Sequence, residues 1–249
     1  MVPEMSKHDT RERLLDAAEQ VIRRAGRPED VSVRKIVAAA ETNVSSVSYH
    51  FVSLEGLAVA CAARVYRRLN LQRLTDLQRA VDAARPGTPD IASILRALIA
   101  TSIRWSLDPA SPYGVFQYLN HLTGLTDQSD ALRVIVHDVD HHMTFVHYLH
   151  LAAPWFTEDQ IRWRLTAALG VRSQFTRQPE RSEVLVGQRL GDPETIIDMA
   201  CEMIAGMFQR PAGAVPQTRT QTPARIPAQT PAQTPAQTPA RARRISNSV

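Results

Sequence analysis

Apolar residues recur along this chain at helical spacing for most of its length. Leu14, Leu15, Ala18, Val21, Ile22 and Ala25 form a first stripe at i, i+3, i+4 intervals. The pattern predicts a helix starting at Asp9 or Thr10, where Asp9 and Glu12 have capping-box spacing, and ending at Ala25-Gly26-Arg27-Pro28. A second stripe, Val33, Ile36, Val37 and Ala40, starts just after Ser32, whose hydroxyl suits a helix N-cap. Glu41-Thr42-Asn43 interrupts the period, and Asn43 is placed to cap a third, short helix. In that helix Val44, Val47 and Phe51 point one way, while Ser45, Ser46, Ser48, Tyr49 and His50 point elsewhere. A long helix is predicted from Leu54 to Ala84, with Leu57, Cys61, Val65, Leu69, Leu77 and Val81 on one side. Its Arg64, Arg67, Arg68 and Arg73 read as a solvated face. Arg85-Pro86-Gly87-Thr88-Pro89 is a break.

The strongest amphipathic stripe follows: Ile91, Ile94, Leu95, Leu98, Ile99 and Ile103, ending near Leu107. Tyr113 to Leu125 predicts one more helix, and Ser129 to Ala152 another. Thr157 caps a helix to about Phe175, Arg177 to Gly191 reads as a polar loop, and Asp192-Pro193 opens the last helix. The stretch HDVDHHMTFVHYLH, residues 137–150, holds His137 and His141 four apart, a spacing that zinc sites use. On a helical wheel His137, His141 and Tyr148 lie opposite Leu132, Ile135, Val136, Val139, Met143 and Val146, as an ordinary exposed face would. His142 and His150 fall at or near the apolar side, as core histidines or as polar groups lining a pocket. No third ligand can be named beyond the candidate His121, so no metal is assigned. From Pro211 onward the repeat PAQTPAQTPAQTPA has no apolar period to offset ordering entropy, which predicts a disordered tail.

Composition narrows the picture only slightly. An apolar fraction of 44% over 249 residues supports a sizeable core. The net charge of +4 is compatible with nucleic acid without requiring it. Arg34 and Lys35, in the first turns of the second helix, are the cations best placed for phosphates. Cys61 and Cys201 sit in apolar stripes and read as reduced core residues of a cytoplasmic protein. Neither a secretory leader nor a membrane-length apolar run is legible, and no cofactor is implied.

The first quarter of the chain resembles the DNA-binding head of the TetR family of transcriptional regulators. The resemblance rests on Thr10 to Ala18 (TRERLLDAA), VRKIVAAA, Val47 to Phe51 (VSYHF), and Ser53, Glu55, Gly56 and Leu57. Two positions depart from the family: Glu41 stands where the turn often has Gly, and Leu54 where the fourth helix often begins with Lys. The resemblance implies an all-α fold with a head at residues 8–68 (helix-turn-helix about 32–51) and a ligand-binding and dimerisation body at 69–210, followed by the tail at 211–249 that composition sets apart.

It also implies a homodimeric regulator, most simply a repressor released from double-stranded operator DNA by a small-molecule effector, with no membrane partner. By the same resemblance Ser45, Ser46, Ser48 and Asn43 would face base edges, and Ser32, Lys35, Tyr49 and His50 the DNA backbone. Trp105, Phe116, Tyr118, His121, His142 and Phe145 are the pocket candidates. The last two helices would pair with their copies, through Ile161, Leu165 and Leu169 on one and Ile197, Ile204 and Phe208 on the other. Two alternatives stay open: a helical binding protein that has lost DNA affinity, and, from His121 with His137-Asp138, an HD-type metal phosphohydrolase.

Overall fold

The computed structural model describes residues 7–25, 27–123, 140–177 and 179–213. Apart from one 3-10 turn at Pro28–Asp30, the regular elements among them are α-helices. They are α1 Lys7–Arg24, α2 Val33–Ala39, α3 Val44–Phe51, α4 Leu54–Ala83, α5 Ile91–Leu107, α6 Gly114–Thr123, α7 Asp140–Ala152, α8 Glu158–Arg177, α9 Pro179–Val186 and α10 Pro193–Gly206. No single helix among these is long and apolar enough to cross a membrane.

Caps explain why several of these helices start where they do. The side chains of Ser32, Asn43, Ser53, Asp90 and Asp192 each accept a backbone N–H three residues on, satisfying donors that a helix leaves orphaned. Thr157 and Gln160 cap reciprocally at the start of α8.

Two apolar cores form, and α4 runs through both. The head core gathers Leu14, Leu15 and Ala18 of α1, Ile36 and Val37 of α2, Val47 and Phe51 of α3, and Leu57, Cys61 and Val65 of α4. Val115, Tyr118 and Leu119 of α6 belong to the same cluster. The body core takes Leu77 of α4, the Ile94–Ile103 stripe of α5, Phe145 and Leu149 of α7, Ile161 and Leu165 of α8, and Ile197, Ile204 and Phe208 of α10. Each fully buried Leu, Ile or Phe contributes about 1.5–3 kcal/mol of transfer free energy. Ion pairs add orientation: Arg64 meets Asp16 at 2.6 Å and Glu19 at 3.1 Å, and Arg68 meets Glu19 at 2.7 Å, fastening α1 to α4. Arg96 and Arg104 both engage Glu194, fastening α5 to α10.

Several expectations need correction. Helix α1 is already running at Lys7, so Asp9 lies within its first turn rather than capping it. The Arg177–Gly191 segment contains α9, opened by Pro179 at its first position. On α7 the buried side is turned relative to the wheel: His141 is buried and Met143 exposed. His137 and the earlier part of that expected helix lie outside the described residues, as does the tail from 214. Arg73, expected in solvent, is 1% exposed, and Arg64 and Arg68 are paired. The assigned dimer residues Ile161, Leu165, Ile197, Ile204 and Phe208 are consumed by the chain's own body core, because α5 and α7 cover those faces. Leu169 packs against the same core and also borders a cavity. What α8 and α10 turn outward instead is Trp163, 77% exposed, with Met199 and Met203.

Candidate nucleic-acid interface and body cavity

Helices α2 and α3 are joined by a tight turn that keeps the backbone form glycine would favour. Glu41 adopts φ 50°, and Arg13 of α1 donates to its carbonyl at 3.2 Å. A left-handed conformation costs an ordinary residue about 1–2 kcal/mol, so the helix-turn-helix geometry is retained at some strain. The Asn43 side-chain oxygen then accepts from the Ser46 N–H at 3.1 Å, the Ser45 hydroxyl at 2.5 Å and the Ser46 hydroxyl at 3.1 Å. Ser46 also meets the Thr42 hydroxyl at 2.8 Å. Asn43 and Ser46 are thus committed to holding the start of α3, and Ser46 is half-buried, so the base-facing role expected for Ser46 is disfavoured.

The outer surface of α3 is formed by Ser45, Ser48 and Tyr49, with His50 half-buried beside Tyr49 in an edge-to-face contact at 4.9 Å. Val47 and Phe51 anchor the opposite edge in the head core. Arg34 is exposed at the start of α2. Ser32 is spent on capping, and Lys35 reaches back to the Asp30 carbonyl at 2.7 Å while its stem stays exposed.

The α3–α4 junction is sharper than helix ends usually are. Val52 has φ 68° and ψ −44°, and the Ser53 N–H reaches the Phe51 carbonyl at 2.8 Å, closing a γ-turn. The same carbonyl lies where a Cβ on Gly56 would come within 2.1 Å of it. Gly56 is therefore dictated by close approach, and Leu54, where the family often has Lys, packs against the head core instead.

A cavity of about 370 Å³ lies in the body, bordered by α4, α6, α7 and α8. Tyr66, Leu69, Tyr113, Phe116, Leu119 and Leu169 supply its apolar and aromatic walls, and Arg73, Arg172, Arg177 and His142, with Gln117, Asn120 and Thr176, its polar ones. Arg73 donates to Asn70 at 3.0 Å and to the Ser102 hydroxyl at 2.5 Å, both neutral acceptors, and its Nε finds no partner among the described residues. Burial, with the Arg172 charge next, pushes Arg73 down to about 9. Burial likewise lowers Arg172, whose Nε is also without a partner among the described residues. His142 is pushed down to about 3 by burial, then by His141, Arg73 and Arg172, so it is neutral near pH 7. Its Nε2 lies 3.1 Å from that of His141.

Of the pocket candidates, Phe116 and His142 line this cavity. Trp105 and Tyr118 border a different cleft, where α5 and α6 meet the end of α1. His121 faces Glu29 at 3.8 Å, and Phe145 is fully buried in the body core, with no surface left for a ligand. Reading the sequence missed Arg73, Arg172, Tyr66 and Tyr113. One signal was present: Leu57, Cys61, Val65, Leu69 and Leu77 repeat every four residues, except that Arg73 occupies the missing step.

No protein-family model matches the chain, and no curated protein matches its sequence. Solved structures match in fold. A candidate transcriptional regulator from Pseudomonas aeruginosa PAO1 aligns at TM-score 0.54 and 20% identity, over 84% of this chain and 94% of that one. A candidate regulator from Streptomyces coelicolor A3(2) aligns at 0.51 and 19%, over 81% and 99%. A TetR family transcription regulator from Marinobacter aquaeolei VT8 aligns at 0.50 and 17%, over 80% and 95%. Across its described residues the chain is all-α and has the fold of TetR-family transcriptional regulators.

Proposed function

We propose that the protein is a homodimeric DNA-binding transcriptional regulator, acting as a repressor, whose operator affinity falls when a small molecule occupies the body cavity. The observation that carries this reading is the outer face of α3. Small hydroxyls and an exposed Tyr49 project from a short helix whose other edge is locked in the core, which suits insertion into a major groove. Arg34 beside it supplies a phosphate contact. With few Arg or Asn side chains on that face, DNA shape carries much of the sequence preference.

One such helix covers few base pairs, so two copies are needed, reading half-sites about 34 Å apart or a multiple of that. The outward Trp163, Met199 and Met203 provide apolar surface for the pairing. Helix α4 connects the two parts: it packs on α3 in the head, and its Tyr66, Leu69 and Arg73 border the cavity. A ligand that resets α4 therefore alters the separation of the two heads, with a coupling of about 1–3 kcal/mol being typical.

DNase footprinting on DNA upstream of the protein's own gene, at low and moderate salt, tests the reading. The expected result is a protected pseudo-palindrome that is lost in Tyr49→Ala. Absence of even salt-sensitive nonspecific binding refutes it and leaves a binding protein that works through its body alone. Trp163→Asp should shift the purified protein from dimer to monomer in sedimentation; an unchanged dimer would place the interface elsewhere.

A further inference from the structure

We propose that the body cavity binds an organic carboxylate with an apolar or aromatic body, held by Arg73 and Arg172. This rests on the reading of the cavity as the effector site and specifies the chemistry it takes. Three guanidinium groups border one cavity, those of Arg73, Arg172 and the exposed Arg177, and Arg73 is 1% exposed. Among the described residues, no Asp or Glu lines the cavity. The hydrogen-bond partners found for Arg73 and Arg172 are the neutral Asn70, Ser102 and Ser173. Among the described residues, neither arginine's buried Nε finds an acceptor.

A buried cation with no counter-charge is costly, and proteins ordinarily avoid it by pairing or neutralisation. Arginine can do neither alone, since its guanidinium stays charged. The missing partner is therefore an anion that arrives with the ligand. A planar fork of donors matches a carboxylate in bidentate geometry better than it matches a point charge.

The remaining walls decide against a bare inorganic ion. Beside the polar Gln117, Asn120 and Thr176, the side chains of Tyr66, Tyr113, Phe116, Leu69, Leu119 and Leu169 present rings and branched chains, which favour a hydrocarbon or aryl body. The cavity lies toward the lower end of the ~300–1,000 Å³ range of small-molecule sites, which suits a compact acid. His142, held neutral, can accept or donate one hydrogen bond without adding a further positive charge.

Thermal-shift and calorimetric titrations of the full-length protein test this with matched probes: octanoate and 3-phenylpropionate, their amides, 3-phenylpropylamine, and inorganic phosphate. The carboxylates should raise Tm and bind at millimolar concentration or better, and the amides and the amine should not. Arg73→Met and Arg172→Met should each weaken carboxylate binding about ten- to hundredfold. Without ligand, both variants should melt at or above the wild-type temperature, because an uncompensated charge is gone. Should Arg73→Met fail to fold, Arg73→Lys, which keeps the charge but not the fork, and Arg172→Met carry the test.

Amides binding as well as acids would overturn the proposal. So would phosphate matching the organic acids, an unchanged carboxylate affinity in the arginine variants, or no binding by either carboxylate. Operator affinity, followed in parallel by fluorescence anisotropy, separates this from the regulator reading. Carboxylate binding that leaves DNA affinity unchanged supports the ligand chemistry and refutes the effector role. DNA binding released by the amides but not the acids refutes the chemistry alone.

Discussion

Replacing Gly56 by Ala sets two well-known effects against each other. Gly56 lies in the first turn of α4, where helix propensity alone favours Ala by up to ~1 kcal/mol. The geometry argues the opposite. The new Cβ would lie 2.1 Å from the Phe51 carbonyl oxygen and 3.2 Å from its carbon, against an ordinary contact of 3.4 Å or more. Both are backbone atoms, so no side-chain rotation relieves the clash. The carbonyl is held by the Ser53 N–H across the Val52 turn, and the Phe51 ring is anchored in the head core. On the other side, the Gly56 N–H is held by the Ser53 hydroxyl at 3.0 Å.

Regaining more than an ångström must break the Ser53 cap, at about 1 kcal/mol, and displace packed groups, at about 1–3 kcal/mol. Offsetting the propensity gain leaves a net loss of about 1–3 kcal/mol. Urea denaturation at fixed protein concentration, read by circular dichroism, measures it. Operator binding should weaken as well, because the junction aims α3. A Gly56→Ala protein as stable as wild type or more so, with DNA affinity intact, would refute the account of the junction.

Other consequences follow from the same geometry. Val52→Gly should stabilise by about 1 kcal/mol in thermal melts, since relieving a β-branched residue at φ 68° gains more than glycine's ~0.5–1 kcal/mol entropic cost. Asn43→Ala should cost about 1–2 kcal/mol in urea melts through loss of the α3 cap, whereas Ser48→Ala should leave stability unchanged and weaken only operator binding in a gel-shift titration. The stability of the fold should fall as pH drops from about 6.5 toward 3. Over that window the unfolded chain protonates the residue-142 imidazole and the native state resists it, with a slope of at most ~1.4 kcal/mol per pH unit. His142→Gln should flatten that part of the stability–pH curve.

The head was legible from its sequence because its signals are local. Ser32 and Asn43 mark helix starts by spacing alone, and the α3 stripe follows directly. Two facts at the same place were not legible: that Asn43 and Ser46 would be tied to one another, and that the Phe51 carbonyl would meet Gly56. Both depend on three-dimensional closure. In the body, apolar periodicity located α5, α8 and α10 but could not say what covered them. Ile197 and Ile204 look the same in sequence whether they face their own chain or a second copy, while the outward Trp163, Met199 and Met203 are separated by polar neighbours that hide the pattern. Helix α9 was missed because Val184, Leu185 and Val186 are consecutive rather than periodic, although Pro179 was a start signal. Arg73 was misplaced for a different reason: a charged residue inside an apolar stripe reads as an interruption unless a cavity is known to receive it.

Modularity has a limit in this chain, and α6 sets it. Val115, Tyr118 and Leu119 come from well beyond the head in sequence, yet they complete its core. Cutting after residue 68 would strip the head of those three side chains and expose the apolar surface they cover. Grafting the unit onto a different helical body would do the same, unless that body brought a matching helix. An engineered chimera built on this protein should therefore carry α1–α4 and α6 as one inheritance, although the 30 residues from 84 to 113, α5 among them, separate the two along the chain.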